Sequence, residues 1–259
     1  MSRQKNECIV KTTDFREDSS TNLLAGRWAY NIGFLLSWLK NISCSTDRYS
    51  GLVRLNQINR ALEYYFSFTF TQRQFMKKPV ILFIQGGGKG AYKEDKKLAL
   101  FLQDALKKTY DISYPKIPDE NNPNYETYRA KIDEELKKIH TRVILVGHSV
   151  GGCFLVKYLS EQKIDKDIAG MFFIATPFWG DGGWQYEGFV LESDFPSKLP
   201  TEAPIFFYHS TNDEIVPFSH LALYSKKLPH AIIRKIVGRG HQLNNDLSEV
   251  VQDIKGLSI

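Results

Sequence analysis

The stretch that most limits what this chain can become is Val143-Ile144-Leu145-Val146-Gly147-His148-Ser149-Val150-Gly151-Gly152. Its β-branched and aliphatic run reads as a buried strand, which Gly147-His148-Ser149-Val150-Gly151 breaks. Cys153-Phe154-Leu155-Val156-Lys157-Tyr158-Leu159 then has helical spacing. This is G-x-S-x-G in the strand–turn–helix setting that gives the pattern meaning. The turn pushes the serine hydroxyl into the open, and the flanking glycines let strand and helix approach closely. The amide of Val150, first in the helix, points into the same space and can hold a developing oxyanion. The plain alternative is a serine that only caps the helix; the periodicities on both sides favour a nucleophile.

From Met76 onward strands and helices alternate, which predicts a mostly parallel sheet of about six strands with helices on both faces. Strands are expected at 80–85, 110–114, 143–146, 168–174, 204–209 and 231–237, with helices at 94–106, 125–139 and 246–254. The helix at 94–106 opens with acidic residues, favourable to its dipole. Residues 1–75 read differently. A polar start leads to an aromatic-rich helix candidate at 28–39, helical spacing at Leu55, Ile58, Leu62 and Tyr65, and alternation at Phe66, Phe68 and Phe70. This N-terminal helical extension is read either as an added segment or as a layer covering the sheet. The domain of alternating strands and helices is 76–259.

A serine hydroxyl at neutral pH needs a base to take its proton and a third group to fix that base's tautomer. On a sheet of this kind the order is serine, acid, histidine. Asp213 follows the fifth strand in His209-Ser210-Thr211-Asn212-Asp213-Glu214, and His241 follows the sixth in Gly238-Arg239-Gly240-His241. Both therefore emerge at the same edge as Ser149. Glu214 and Asp181 rival Asp213. Among the other histidines, His148 is the variable residue of the serine turn, His209 ends a strand in the interior, and His220 and His230 flank a helix. The second oxyanion amide is expected from the loop after the first strand, at Gly87 or Gly88. A phosphate-loop reading of Gly86-Gly87-Gly88-Lys89-Gly90 lacks the Gly-Lys-Ser/Thr ending. Residues 176–200, carrying Phe178, Trp179, Trp184, Tyr186 and Phe189, are too long and too aromatic for a plain connection and read as a lid or pocket wall. The alternative is that these rings complete the core.

Composition narrows the partners. The net charge of +5 is unevenly spread: residues 1–75 hold 10 Lys and Arg against 6 Asp and Glu, and the remainder 24 against 23. No basic run with interleaved aromatics appears, which argues against nucleic acid. The apolar stretch 28–39 is too short to span a bilayer, and no export signal precedes it. Three widely spaced cysteines, Cys8, Cys44 and Cys153, suggest neither a disulfide framework nor a zinc site and fit a reducing, cytoplasmic compartment. Neither metal nor organic cofactor is expected, and oligomeric state is left open.

The second segment resembles the small α/β-hydrolase-fold serine hydrolases grouped with retinoblastoma-binding protein nine and their uncharacterised bacterial relatives. The likeness rests on residues 80–88, Glu94-Asp95-Lys96, 114–121, 143–152, Ala175-Thr176-Pro177-Phe178-Trp179, Asp213-Glu214-Ile215-Val216-Pro217 and Gly238-Arg239-Gly240-His241-Gln242-Leu243. It implies Ser149, Asp213 and His241 as nucleophile, orienting acid and base of a compact, cofactor-free hydrolase; the expected partner is a small-molecule acyl substrate. One departure is Gln85-Gly86, where many hydrolases of this fold have His-Gly. The expected reaction is ester cleavage, less so amide cleavage, through an acyl-serine. The alternatives are a catalytically silent protein-binding module, or an acyltransferase using the same residues.

Overall fold

Every strand expected beyond residue 76 forms, and all run in one direction. In the computed structural model, which describes residues 78–258, the strands are β1 (Val80–Ile84), β2 (Asp111–Ser113), β3 (Val143–His148), β4 (Ile168–Ile174), β5 (Ile205–Ser210) and β6 (Ile232–Ile236). They form one six-stranded sheet in the order β2-β1-β3-β4-β5-β6, and every pairing is parallel. Parallel neighbours need long crossovers. These contain helices α1 (Ala91–Leu106), α2 (Tyr125–Lys138), α3 (Val150–Glu161), α4 (Phe195–Lys198) and α5 (Ser219–Lys227), with α6 (Ser248–Lys255) closing the chain.

The chain goes outward from β1 to β2, then returns to lay β3 on the other side of β1. The carboxyl ends of β1 and β3 thus flank a switch point, where the connections leave in opposite directions and open a crevice. The loop after β1 carries Gly86, and Ser149 follows β3 directly.

Side chains alternate across the sheet. Ile81, Phe83, Ile144, Val146, Phe172 and Ile174 face α1 and α6, which contribute Leu98, Leu102, Val250 and Ile254. Leu82, Ile84, Leu145, Met171, Phe173 and Phe207 face the other helices, which contribute Tyr128, Ile132, Phe154, Leu155 and Tyr224. Burial on both faces is why these strands read as nearly continuous apolar runs. Each fully buried Leu or Phe contributes about 1.5–3 kcal/mol relative to exposure.

Local chemistry sets the helix ends. Asn124 caps α2 by accepting the Thr127 amide at 2.9 Å, and Lys137 and Lys138 sit in its last turn, favourable to the dipole. The helix expected at 246–254 begins at Ser248, because Leu243, Asn244 and Asn245 all take positive φ and make a separate turn first. Helix α4 lies within the segment 176–200, which had no helix in the sequence reading. The expectations for residues 1–75 lie outside the described residues, and the chain divides between Met76 and Lys77. No described helix is long and apolar enough to cross a membrane.

Candidate active site

Ser149 sits at φ 51° and ψ −128°, a conformation that L-residues adopt only when their surroundings impose it. Its amide donates to the Ile174 carbonyl at 2.8 Å, and its carbonyl accepts the Gly152 amide at 3.0 Å. The side chain makes no capping hydrogen bond to α3, so the capping role falls away. A Cβ on Gly151 would run into the Gln85 carbonyl oxygen, and one on Gly147 into the backbone of Gly152. These contacts are the close approach that the two glycines allow. Val150 opens α3, where an amide has no acceptor within the helix.

β6 lies three strands away from β3, so the loop carrying His241 must reach back across the sheet edge. Side chains after β5 guide it. Ser210 Oγ accepts the Arg239 amide at 2.9 Å, Asn212 Oδ1 the Gly240 amide at 2.9 Å, and Glu214 Oε2 the His241 amide at 3.1 Å. Consecutive amides are thereby held by alternate side chains. Gly238, Gly240 and residues 243–245 at positive φ give this loop its curl.

The His241 ring then meets Asp213. Nδ1 lies 3.0 Å from Oδ1 and 2.9 Å from Oδ2. Asp213 Oδ1 also accepts the amides of Ile215 and Val216, and His209 Nε2 approaches Oδ2 at 3.2 Å. Glu214, the rival acid, binds the backbone of His241 rather than its ring, and Asp181 is exposed. Burial alone would raise the Asp213 carboxyl. Hydrogen bonds from His209 and His241, the His241 charge and the Val216 amide outweigh it and hold the carboxyl well below the usual range. Burial lowers His241 below the ordinary imidazole value; Asp213 opposes this and neighbouring His148 adds to it. A mostly neutral imidazole with Nδ1–H on a carboxylate has its Nε2 lone pair free to accept a proton. No hydrogen bond joins Ser149 Oγ to His241 in this arrangement; such contacts tighten as substrate binds.

The loop after β1 is pinned around one free amide. Gly86 donates to Asp95 Oδ2 at 2.7 Å, and its carbonyl accepts the Tyr128 hydroxyl at 2.8 Å. Gly88 donates to the Glu120 carbonyl at 2.6 Å, so its amide is already taken up. No hydrogen bond among the described residues takes up the Gly87 amide. Gln85, fully buried, accepts the Ile117 amide at 3.2 Å and so ties this loop to the segment after β2.

Two residues of this site escaped the sequence reading. His148 is not a spare turn residue but the buried end of β3, its Nδ1 3.0 Å from Asp95 Oδ1. Asp95, expected among the acids serving the dipole of its helix, turns inward and is 1% exposed.

The aromatic segment divides. Phe178 is 3% exposed and packs on Tyr224 and Phe195, and Phe189 packs on Phe154; both complete the core, so Phe178 is not a pocket face. Trp179 and Trp184 pair edge to face at 5.1 Å, with Tyr186, 62% exposed, against Trp179. Among the described residues, no group of three or more His, Cys, Asp or Glu is placed to hold a metal ion.

A parallel sheet in this order, with a strained serine after β3 and an Asp–His pair after β5 and β6, defines an α/β hydrolase. More narrowly, the chain belongs to the serine hydrolase family, whose model matches residues 101–246, and the protein is a hydrolase. Solved structures similar in fold include Est1E from Butyrivibrio proteoclasticus, with a TM-score of 0.52 and 16% identity over 70% of this chain and 86% of that one. A variant of SOBER1 from Arabidopsis thaliana gives 0.51 and 18% over 70% and 99%. A variant of the meta-cleavage product hydrolase CumD from Pseudomonas fluorescens IP01 gives 0.54 and 14% over 70% and 91%. Comparison with curated protein sequences gives no match.

Proposed function

We propose that the protein cleaves carboxylic esters, in preference to amides, through an acyl-serine formed on Ser149. The observation that carries this reading is the His241 Nδ1 to Asp213 Oδ2 hydrogen bond of 2.9 Å, formed at the same sheet edge as the strained Ser149 turn. Ser149 Oγ attacks the carbonyl carbon while His241 Nε2 takes its proton. Asp213 holds the imidazole in the required tautomer and stabilises the imidazolium. The amides of Val150 and Gly87 hold the oxyanion of the tetrahedral intermediate. His241 then returns the proton to the leaving alcohol. Water repeats the attack on the acyl-serine, and the acid is released.

The rings of Trp179, Trp184 and Tyr186 support an apolar or aromatic group on the substrate. The same motifs support placing the chain beside the retinoblastoma-binding protein nine group within its family. The test is labelling with a fluorophosphonate probe followed by peptide mapping, together with a panel of short-chain to long-chain esters. Modification at Ser149 and turnover of the panel are expected. A folded sample that is neither labelled nor active on any ester would overturn the proposal.

A further inference from the structure

The pair formed by Asp95 and His148 takes part in none of those steps, yet it lies in the middle of the residues that do. Both side chains are 1% exposed. His148 Nδ1 lies 3.0 Å from Asp95 Oδ1, off the straight hydrogen-bond direction, and Nε2 lies 3.2 Å from the His241 carbonyl oxygen. A neutral imidazole has one N–H and one lone pair. In either tautomer that lone pair would face an oxygen across about van der Waals distance, in a site buried away from bulk solvent. With Asp95 held as the carboxylate by the Gly86 amide, Gln242 and the imidazole charge, both approaches are favourable when both nitrogens carry protons.

The carboxylate is equally committed. Asp95 Oδ2 accepts the Gly86 amide at 2.7 Å, and Oδ1 accepts Gln242 Nε2 at 2.9 Å. Gly86 precedes the free Gly87 amide, Gln242 follows His241, and His148 precedes Ser149. The loop after β1, the turn after β3 and the loop after β6 therefore converge on one pair of side chains.

We propose that His148 is a buried imidazolium, with Asp95 as its counter-ion, and that this ion pair positions the oxyanion loop and the His241 loop against Ser149. The proposal rests on the reading of Ser149 as nucleophile and deepens it: His148 and Asp95 are positioning residues, acting through Gly87 and His241.

A charge at His148 also acts on the base. The two imidazole rings lie 4.8 Å apart, centroid to centroid. His241 faces Asp213 from the loop after β5, His148 from β3 and, beyond it, Asp95 from α1, while Glu214 holds its backbone. His148 faces Asp95 from α1 and His241 from the loop after β6, with Asp213 beyond. Burial pushes His148 toward the neutral form, but Asp95 reverses this and keeps it protonated above the ordinary imidazole range. The resulting positive charge disfavours a second one on His241 and keeps the base ready to accept a proton; Asp95, farther away, opposes this less strongly.

The experiment uses the full chain and two measurements. Nitrogen-15 NMR of histidine-labelled wild-type protein reads the protonation of each ring. His148 should keep protons on both nitrogens at pH values where a free imidazole has lost one, and a ring titrating at the ordinary value would overturn the proposal whether or not any variant folds. Asp95→Asn keeps an acceptor oxygen and the shape but removes the charge. It should lower kcat roughly ten- to a hundredfold, as a misplaced catalytic group does, with little change in KM, and move the acidic limb of kcat/KM to higher pH. An unshifted limb with undiminished kcat would also overturn it. Fluorophosphonate labelling of the wild type separates the two readings: unlabelled wild type removes the nucleophile, whereas labelled wild type with an unshifted Asp95→Asn limb and undiminished kcat removes only the ion pair's role.

Discussion

The backbone of Ser149 takes a conformation that an isolated serine would leave, and neighbours on three sides hold it there. Such strain at one residue argues that the position of its hydroxyl matters more than local stability. Ser149→Ala and His241→Ala should each lower kcat by several orders of magnitude. The double variant should be little worse than either single one, because the residues act as a unit; additive losses in steady-state kinetics would separate them. Asp213→Asn should cost roughly 10⁴-fold in kcat through the wrong imidazole tautomer. Because His241 is held below the ordinary imidazole value of 6.5, activity should rise with pH through an ionisation lying below that value. A pH–rate profile checks this, and a flat one would remove His241 as base.

Elements decide where these side chains stand. The base loop crosses from β6 toward β3 because Ser210, Asn212 and Glu214 hold the amides of residues 239–241. Asn212→Ala strands the Gly240 amide and should destabilise the fold by about 1 kcal/mol, the net value of such a bond. Activity should fall by more than that stability loss implies if His241, which the loop carries, is the base proposed above; thermal melts beside kinetics compare the two. Helix α1 shows a second arrangement at this scale. Its buried positions are Asp95, Leu98, Ala99, Leu102 and Leu106, so a carboxylate sits in line with an apolar stripe. That misfit was visible in the sequence as an acid at helical spacing from Leu98, Ala99 and Leu102. Its partner was not, because His148 lies 53 residues further along the chain and only the pairing of β1 with β3 brings α1 over it.

For the whole molecule, the buried acids and bases tie stability to pH. Asp213 and Asp95 have folded values below the ordinary 3.8. Their contribution is complete above that value and is lost as pH falls through the folded values. His148 has the opposite sign: raised above 6.5, it contributes fully below that pH and loses its contribution as pH rises through its folded value. His241, lowered, contributes above 6.5 and loses its share as pH falls toward its folded value. Melting temperature against pH should therefore fall on the acid side, and Asp213→Asn should flatten that fall. At the same scale, the described residues contain a six-stranded sheet, and one similar structure is matched over 99% of its own length. Residues 77–259 expressed alone should fold and keep the hydrolase activity of the full chain; insoluble or inactive product would assign residues 1–76 a necessary part.

What the sequence determined by itself was local and periodic: the alternation of strands and helices, the strand–turn–helix around Ser149, and the order serine, acid, histidine along the chain. Those follow from side-chain spacing and backbone freedom within a few residues, which are written in the sequence directly. Which of Gly87 and Gly88 keeps a free amide, the burial of Phe178 and the meeting of Asp95 with His148 were decided by tertiary structure alone. The first and last turn on which polar group finds a partner once distant segments pack, as when the Glu120 carbonyl takes the Gly88 amide, and the second on which rings meet. In a water-free interior every such group must be matched, and the matching depends on three-dimensional neighbours that no local spacing specifies.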